Sequence, residues 1–166
     1  MTSTTTNLSL DEIFNLAKAA LLNNGANEEN ADAVATTVTN AERDGSVSHG
    51  LFRIPGYIKA LQSNKVDGSA RPEIEEVTPT IFRCDAQNGF APLAHKYGIK
   101  KLIEAANAFG IAGLAIKRCH HFAALWPEVE AISDHGLVGL TSVSYTPAVA
   151  PSGGAEALFG TNPSAF

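Results

Sequence analysis

The spacing of the apolar residues changes along the chain, and this change restricts the fold more than any other feature. Up to about residue 61 the apolar residues recur every three or four positions, which is the spacing of one helical face. From residue 74 onward, short apolar runs of strand length alternate with helical stretches. The pattern predicts an α/β protein of the α+β type, with a helical N-terminal subdomain followed by a mixed sheet.

Helix-start signals locate the first helices. Ser9 followed by Glu12 is a capping box, and Asn27 precedes two acidic residues in a first turn. An apolar stripe follows each signal, and Gly25 ends the first one. We predict that these two helices form a hairpin, and that Pro55 lies in the first turn of a third helix.

The later part of the chain predicts strands separated by helices. Strands are expected at 74–77, 80–84, 111–116 and 137–143, and helices at 91–109 and 122–132. The run 111–116, the helix 122–132 and the run 137–143 follow one another in the order of a βαβ unit. We therefore expect the last two strands to form a parallel pair.

Charge and composition argue against two classes of partner. The net charge is −5, so the chain lacks the basic surface of a nucleic-acid-binding protein. No apolar run approaches the roughly 18 residues that a membrane-spanning helix needs. Residues 1–7 carry no basic residue, unlike a signal or transit peptide, and two isolated cysteines suit a reducing compartment. A cytoplasmic protein is the expectation.

One short segment carries three side chains suited to work on one substrate. In Ser48-His49-Gly50-Leu51-Phe52-Arg53 a hydroxyl adjoins an imidazole that titrates near neutral pH, the usual requirement for proton transfer. Arg53 can bind a carboxylate with two parallel hydrogen bonds, and it shares a face with His49 if the segment is helical. The alternatives are a turn histidine, a helix-capping serine and a surface arginine.

Neither a metal site nor a Rossmann nucleotide site is expected. Cys119, His120 and His121 are adjacent, and neighbouring residues of an extended strand point to opposite faces. The other histidines show no metal-ligand spacing, and the chain contains no Gly-x-Gly-x-x-Gly motif.

Three ordered blocks carry a resemblance to a known family. Residues 44–57, residues 85–90 and Gly160-Thr161-Asn162-Pro163 resemble conserved blocks of the malate/L-lactate dehydrogenase-type oxidoreductases, which are not Rossmann proteins. The block 120–130, with Ala123-Ala124-Leu125-Trp126, is similar to the version found in Δ1-piperideine-2-carboxylate and Δ1-pyrroline-2-carboxylate reductases.

The resemblance implies an activity and a set of site residues. The activity is reduction of small cyclic imino acids with NADPH, NADH remaining possible, in a homodimer. His49 would protonate the imine nitrogen, Ser48 would orient His49, and Arg53 with Thr161 would bind the substrate carboxylate. The stretch that would contact the cofactor consists of His121, Phe122, Ala123, Ala124 and Leu125.

Family members are about twice as long as this chain, so the resemblance also implies an N-terminal half. Residues 1–84 would be the helical region with a short strand pair, and residues 85–166 an incomplete α/β cofactor-binding domain. The expected third member of the Ser48–His49 relay, an aspartate, would lie in the other half. Two rival functions remain: a malate- or lactate-type 2-hydroxyacid dehydrogenase, and an inactive half-protein that depends on a partner.

Overall fold

The computed structural model describes residues 6–121 and 123–166. Five helices, α1 to α5, and five strands, β1 to β5, are defined in this part of the chain. The helices are α1 (Leu10–Leu22), α2 (Glu28–Arg43), α3 (Ile54–Gln62), α4 (Ala91–Phe109) and α5 (Trp126–Ser133). The strands are β1 (Glu73–Thr78), β2 (Ile81–Asp85), β3 (Gly113–Lys117), β4 (Thr141–Ser142) and β5 (Ser164–Ala165). Two short 3₁₀ turns, Val47–His49 and Leu51–Arg53, precede α3.

The helical hairpin predicted from the capping signals is confirmed. Ser9 accepts a hydrogen bond from the Glu12 N–H, and the Glu12 carboxylate accepts one from the Ser9 N–H. At the start of α2, the side chain of Asn27 accepts from the Asn30 N–H at 3.0 Å. Gly25 turns the chain between the helices with a φ of 98°, a conformation that glycine adopts without steric cost.

The first three helices share one apolar core, to which the residue just before α4 also belongs. Leu21, Val34 and Val38 are fully buried between α1 and α2. Phe90, immediately before α4, is 1% exposed and belongs to the same core. The helical region is therefore packed directly against the part of the chain that carries the sheet.

A three-stranded sheet follows, in the order β1-β2-β3. β1 pairs antiparallel with β2, and β2 pairs parallel with β3. Since α4 connects the two parallel strands, β2, α4 and β3 form a βαβ unit. The α/β class is confirmed, and the predicted helix 91–109 coincides with α4, which Gly110 ends with a φ of 83°.

The predicted pairing of 111–116 with 137–143 is wrong. Thr141 and Ser142 pair instead with β5 in antiparallel register, and residues 137–140 form no strand. Gly139 explains the difference, because a Cβ there would approach Val129 and Ile132 of α5 to 3.1–3.3 Å. The segment therefore lies against α5 rather than beside β3, and its apolar content did not reveal which strands would pair.

The domain boundary predicted between residues 84 and 85 falls inside β2, which pairs with strands on both sides. A division of the chain at that point stays a prediction. None of the helices in residues 6–121 and 123–166 is long and apolar enough to cross a membrane.

Asn30 offers a test of this packing. Its side chain is fully buried and donates 3.0 Å hydrogen bonds to the Ala70 carbonyl and to the Asn27 side chain. Asn30→Asp removes both donors and places a carboxylate against two oxygen atoms, so we expect a loss of about 3 kcal/mol in the free energy of unfolding at pH 7. Urea titration measures it.

The matched control for this change is Asn107→Asp, because the Asn107 side chain is exposed and bonds within its own helix. The deficit of Asn30→Asp should shrink as pH falls and the introduced carboxyl becomes protonated. Equal stability of the two variants at pH 7 would contradict the structural role of the Asn30 donors.

Candidate functional site

The segment that carries His49 folds into two 3₁₀ turns because Gly50 interrupts it. The Leu51 N–H donates to the Glu42 carboxylate of α2 at 2.7 Å. A Cβ at Gly50 would overlap that same carboxylate, so only glycine allows so close an approach. His49 and Arg53 therefore do not lie on one face of a single helix. They lie in two successive turns, which Glu42 bonds to α2.

His49 is held by hydroxyl groups on one side of its ring. Its Nδ1 lies 3.0 Å from Ser48 Oγ and 3.1 Å from Ser46 Oγ. Because both hydroxyls face Nδ1, the other ring nitrogen, Nε2, is the atom left for a ligand. Partial burial and, second, the charge of Arg53 lower the pKa of His49. Sequence reasoning missed Ser46, although its position three residues before His49 in a turn was visible.

Arg53 lies close to this histidine. Its Nε donates to the Ser48 carbonyl at 2.7 Å, so the arginine also fixes the backbone of the residue beside His49. Among the described residues, no carboxylate lies within salt-bridge distance of Arg53. Its guanidinium therefore has hydrogen-bond donors and a positive charge with which it can bind an anionic ligand.

His121 is positioned by a buried tyrosine. Its Nδ1 lies 3.0 Å from the hydroxyl of Tyr57, a residue of α3 that is 5% exposed. Burial raises the pKa of Tyr57 to about 12, so the hydroxyl keeps its proton, and we infer that it donates to Nδ1. Burial, with the charge of Arg53 as a smaller cause, lowers the pKa of His121 to about 4. Sequence reasoning missed Tyr57, although it closes the block 44–57.

The remaining residues expected to contact a cofactor have different environments. Phe122 lies outside the described residues. Ala123 faces the cavity described below, whereas Ala124 and Leu125 are buried, at 8% and 6% exposure. The predicted start of the helix at residue 122 is wrong: α5 begins at Trp126, because Pro127 is suited to a first helical turn.

Trp126 joins the start of α5 to the end of α2. Its indole N–H donates to the carboxylate of Asp44 at 2.9 Å, and Asp44 also pairs with Arg43. This bond therefore ties the start of α5 to the residue that ends α2.

Thr161 lies on an exposed loop that approaches the chain near β4 very closely. Asn162 accepts a hydrogen bond from the Tyr145 N–H at 2.9 Å. A Cβ at Gly160 would overlap the Tyr145 carbonyl, which explains the glycine before Thr161.

One open cavity of about 1510 Å³ brings five predicted site residues together: His49, Arg53, His121, Ala123 and Thr161. Ser48 reaches it only through its hydrogen bond to His49. Lys65 also lines the cavity and adds positive charge to its wall, as do Lys117 and Arg118, which both pair with Asp85. The cavity exceeds the usual 300–1,000 Å³ of small-molecule sites, and its cations suit an anionic ligand of nucleotide size.

Two further titratable side chains line the cavity, and each has one buried atom, His95 Nε2 or Glu128 Oε2, without a hydrogen-bond partner among the described residues. Burial lowers the pKa of His95, on α4, to about 4, and burial raises the pKa of Glu128, on α5, to about 7. Burial therefore keeps His95 neutral at pH 7 and shifts Glu128 toward its neutral form. No cluster of three potential metal ligands occurs in the described part of the chain.

Comparison with known proteins identifies the family. A family model described as malate/L-lactate dehydrogenase matches residues 8–166. A Delta(1)-pyrroline-2-carboxylate reductase of Pseudomonas fluorescens is 42% identical over 159 residues, which are 96% of this chain and 47% of that protein. A Delta(1)-pyrroline-2-carboxylate/Delta(1)-piperideine-2-carboxylate reductase of Pseudomonas syringae pv. tomato is 45% identical over 98% of this chain and 47% of its own length.

Two solved structures superpose closely on this chain. The delta1-piperideine-2-carboxylate reductase from Pseudomonas syringae superposes with a TM-score of 0.91 at 44% identity, over 96% of this chain and 48% of that one. A malate dehydrogenase from Entamoeba histolytica superposes with a TM-score of 0.90 at 30% identity, over 97% and 45%. The chain thus spans about half the length of the curated relatives it matches.

Tyr57→Phe tests the bond that orients His121. In the unchanged chain we expect the imidazole to carry its proton on Nε2, because the Tyr57 hydroxyl occupies Nδ1. The variant should shift the ring toward the other tautomer and cost about 1 kcal/mol of stability. The ¹⁵N chemical shifts of the histidine ring measure the tautomer, and identical shifts in both proteins would contradict the assignment.

His95→Gln tests the buried neutral histidine. The folded chain binds this proton only near pH 4 and the unfolded chain near 6.5, so the stability that His95 contributes is present above pH 6.5 and is lost as pH falls toward 4. Between pH 7 and pH 4.5, the free energy of unfolding should therefore fall by up to about 2 kcal/mol less in the variant than in the unchanged chain. Urea titrations at pH 7 and pH 4.5 measure it, with His135→Gln, at an exposed position, as the control.

Proposed function

The chain belongs to the malate/L-lactate dehydrogenase family, and we propose that it supplies the proton donor and the carboxylate-binding group of an NAD(P)H-dependent reductase of cyclic imino acids. The substrates would be Δ1-piperideine-2-carboxylate and Δ1-pyrroline-2-carboxylate, giving L-pipecolate and L-proline. Because the matched relatives are about twice as long, the activity is proposed for the complete two-half protein.

The observation that carries the proposal is the arrangement of His49 and Arg53 on one cavity wall. His49 presents Nε2 while two hydroxyls bind its Nδ1, and Arg53 has no carboxylate partner among the described residues. A cyclic imino acid has a basic nitrogen next to the carbon that bears its carboxylate. A proton donor beside an unpaired guanidinium is complementary to that pair of groups.

The proposed roles follow from these contacts. Arg53, with the Thr161 hydroxyl, binds the substrate carboxylate and fixes the ring. His49 then gives a proton to the imine nitrogen, and Ser48 and Ser46 hold the imidazole in place. Burial is the larger cause of the lowered pKa of His49 and the charge of Arg53 the smaller one, and pairing of Arg53 with the carboxylate would offset the smaller cause.

The reductant would be a nicotinamide cofactor, which supplies a hydride to the imine carbon. Lys65 offers a positive charge to its phosphates, and His121, held by Tyr57, is the proposed contact next to Ala123. We propose NADPH rather than NADH, following the resemblance of residues 120–130 to the imine reductases. The buried side chains of Ala124 and Leu125 leave their backbone groups as the atoms for such a contact.

Other features of the complete protein are proposals of the same kind. We propose a homodimer, and a cytoplasmic location that agrees with the two free cysteines, Cys84 and Cys119. A malate- or lactate-type dehydrogenase is the second candidate, because the Entamoeba histolytica structure superposes nearly as well. In that case His49 would accept the hydroxyl proton of a 2-hydroxyacid.

A chimera tests the activity: residues 1–166 followed by the second half of the Pseudomonas syringae reductase. We expect NADPH oxidation with the cyclic imines, and His49→Ala should reduce it by about 100-fold or more, a typical loss for a general acid. His135→Ala, at an exposed position, is the control. The isolated chain should be poorly active. Turnover of pyruvate or oxaloacetate alone would overturn the imine assignment, and an active His49→Ala chimera would remove His49 from the mechanism.

A further inference from the structure

The backbone around His49 is tied to the last turn of α2 on both sides. The Ser46 N–H donates to the Ala41 carbonyl at 2.7 Å, and the Leu51 N–H donates to the Glu42 carboxylate at 2.7 Å. Both acceptors belong to α2, which is packed in the helical core. The freedom left to His49 is therefore mainly rotation of its side chain about χ1 and χ2.

Ser46 contacts His49 through two different groups. Its carbonyl accepts from the His49 N–H at 2.8 Å, and its hydroxyl lies 3.1 Å from Nδ1. A serine at the N-cap of a helical turn usually uses its hydroxyl to bind a free backbone N–H. Ser46 holds that position before the first 3₁₀ turn, but its hydroxyl forms no capping bond to the described backbone of that turn. The hydroxyl is therefore left for the imidazole.

Ser48 bonds the same ring nitrogen from a less fixed position. Its hydroxyl lies 3.0 Å from Nδ1, but Ser48 is exposed, whereas Ser46 is half-buried. Water competes for an exposed hydroxyl, which can also rotate among three staggered positions. Nδ1 carries either one proton or one lone pair, so it forms one well-aligned hydrogen bond at a time. These differences favour Ser46 as the partner that stays bonded.

We propose that Ser46 is the positioning residue that sets the orientation of the His49 ring, and that Ser48 contributes less to this orientation. The proposal rests on the proposed role of His49 as proton donor. A hydroxyl donates to a bare ring nitrogen and accepts from a protonated one, so Ser46 can hold the ring before and after proton transfer. A displacement of about 1 Å at a reacting group can cost about 100-fold in rate, so a fixed ring favours the reaction.

NMR relaxation of the ring ¹³C–H groups of His49 in the 166-residue chain tests how rigidly the imidazole is held. We expect Ser46→Ala to lower the ring order parameter by about 0.2, the difference between a rigid and a flexible group. Ser48→Ala should lower it by less than half as much. The control is Ser133→Ala, because the Ser133 hydroxyl bonds within its own helix. An unchanged order parameter in Ser46→Ala overturns the proposal, and so does a larger decrease in Ser48→Ala than expected.

Steady-state kinetics of the chimera give a second readout. Ser46→Ala should lower kcat about 10-fold and leave KM for Δ1-piperideine-2-carboxylate within about twofold, because Arg53 still binds the carboxylate. Ser46→Thr keeps the hydroxyl and should retain most of the activity, and Ser133→Ala should be unchanged. Equal losses in Ser46→Ala and Ser46→Thr, or a raised KM at normal kcat, contradict the positioning role. If the chimera reduces no cyclic imine while Ser46→Ala still loosens the ring, the proposed activity alone fails.

Discussion

The contact between Phe90 and Tyr57 connects the parts of this molecule. Phe90 is buried in the core of α1, α2 and α3, and its ring meets that of Tyr57 edge-on at 5.6 Å. The same Phe90 forms a parallel backbone bridge with His120, and the chain after β3 is thereby bonded to the start of α4. His121 can reach the Tyr57 hydroxyl only because this junction fixes both backbones. The packing of the helical core therefore determines where the candidate cofactor residues lie.

The site combines groups that the surroundings keep uncharged with two cations, Arg53 and Lys65, that form no ion pair among the described residues. His95 and His121 are neutral at pH 7 because charging them would cost desolvation energy. Arg53 and Lys65 lie among them on the cavity wall. Such a wall attracts an anion while offering neutral ring nitrogens as hydrogen-bond partners. Arg118 and His121 also adopt positive φ values of 50° and 49°, a strained conformation that occurs preferentially at functional sites.

The sequence correctly predicted the helices whose ends are fixed by residues close to them in the chain. The caps at Ser9 and Asn27 and the stop at Gly110 place α1, α2 and α4 correctly, because each satisfies backbone groups within a few residues. The pairing of 137–143 was mispredicted because it depends on Gly139 and α5, which periodicity does not report. Five of the predicted site residues line one cavity, but Glu42 and Tyr57 act through contacts 9 and 64 residues apart in sequence, beyond any local pattern.

Trp126 is the chain's one tryptophan, and its position gives the molecule a built-in optical reporter. The indole N–H is bonded to Asp44, at the junction between the end of α2 and the start of α5. The Arg43 guanidinium lowers the pKa of Asp44, so this acceptor stays ionised in mildly acidic solution. Emission from the indole therefore follows the approach of these two helices directly. A separation of α2 from α5 would therefore be visible in the unlabelled protein, without any added dye.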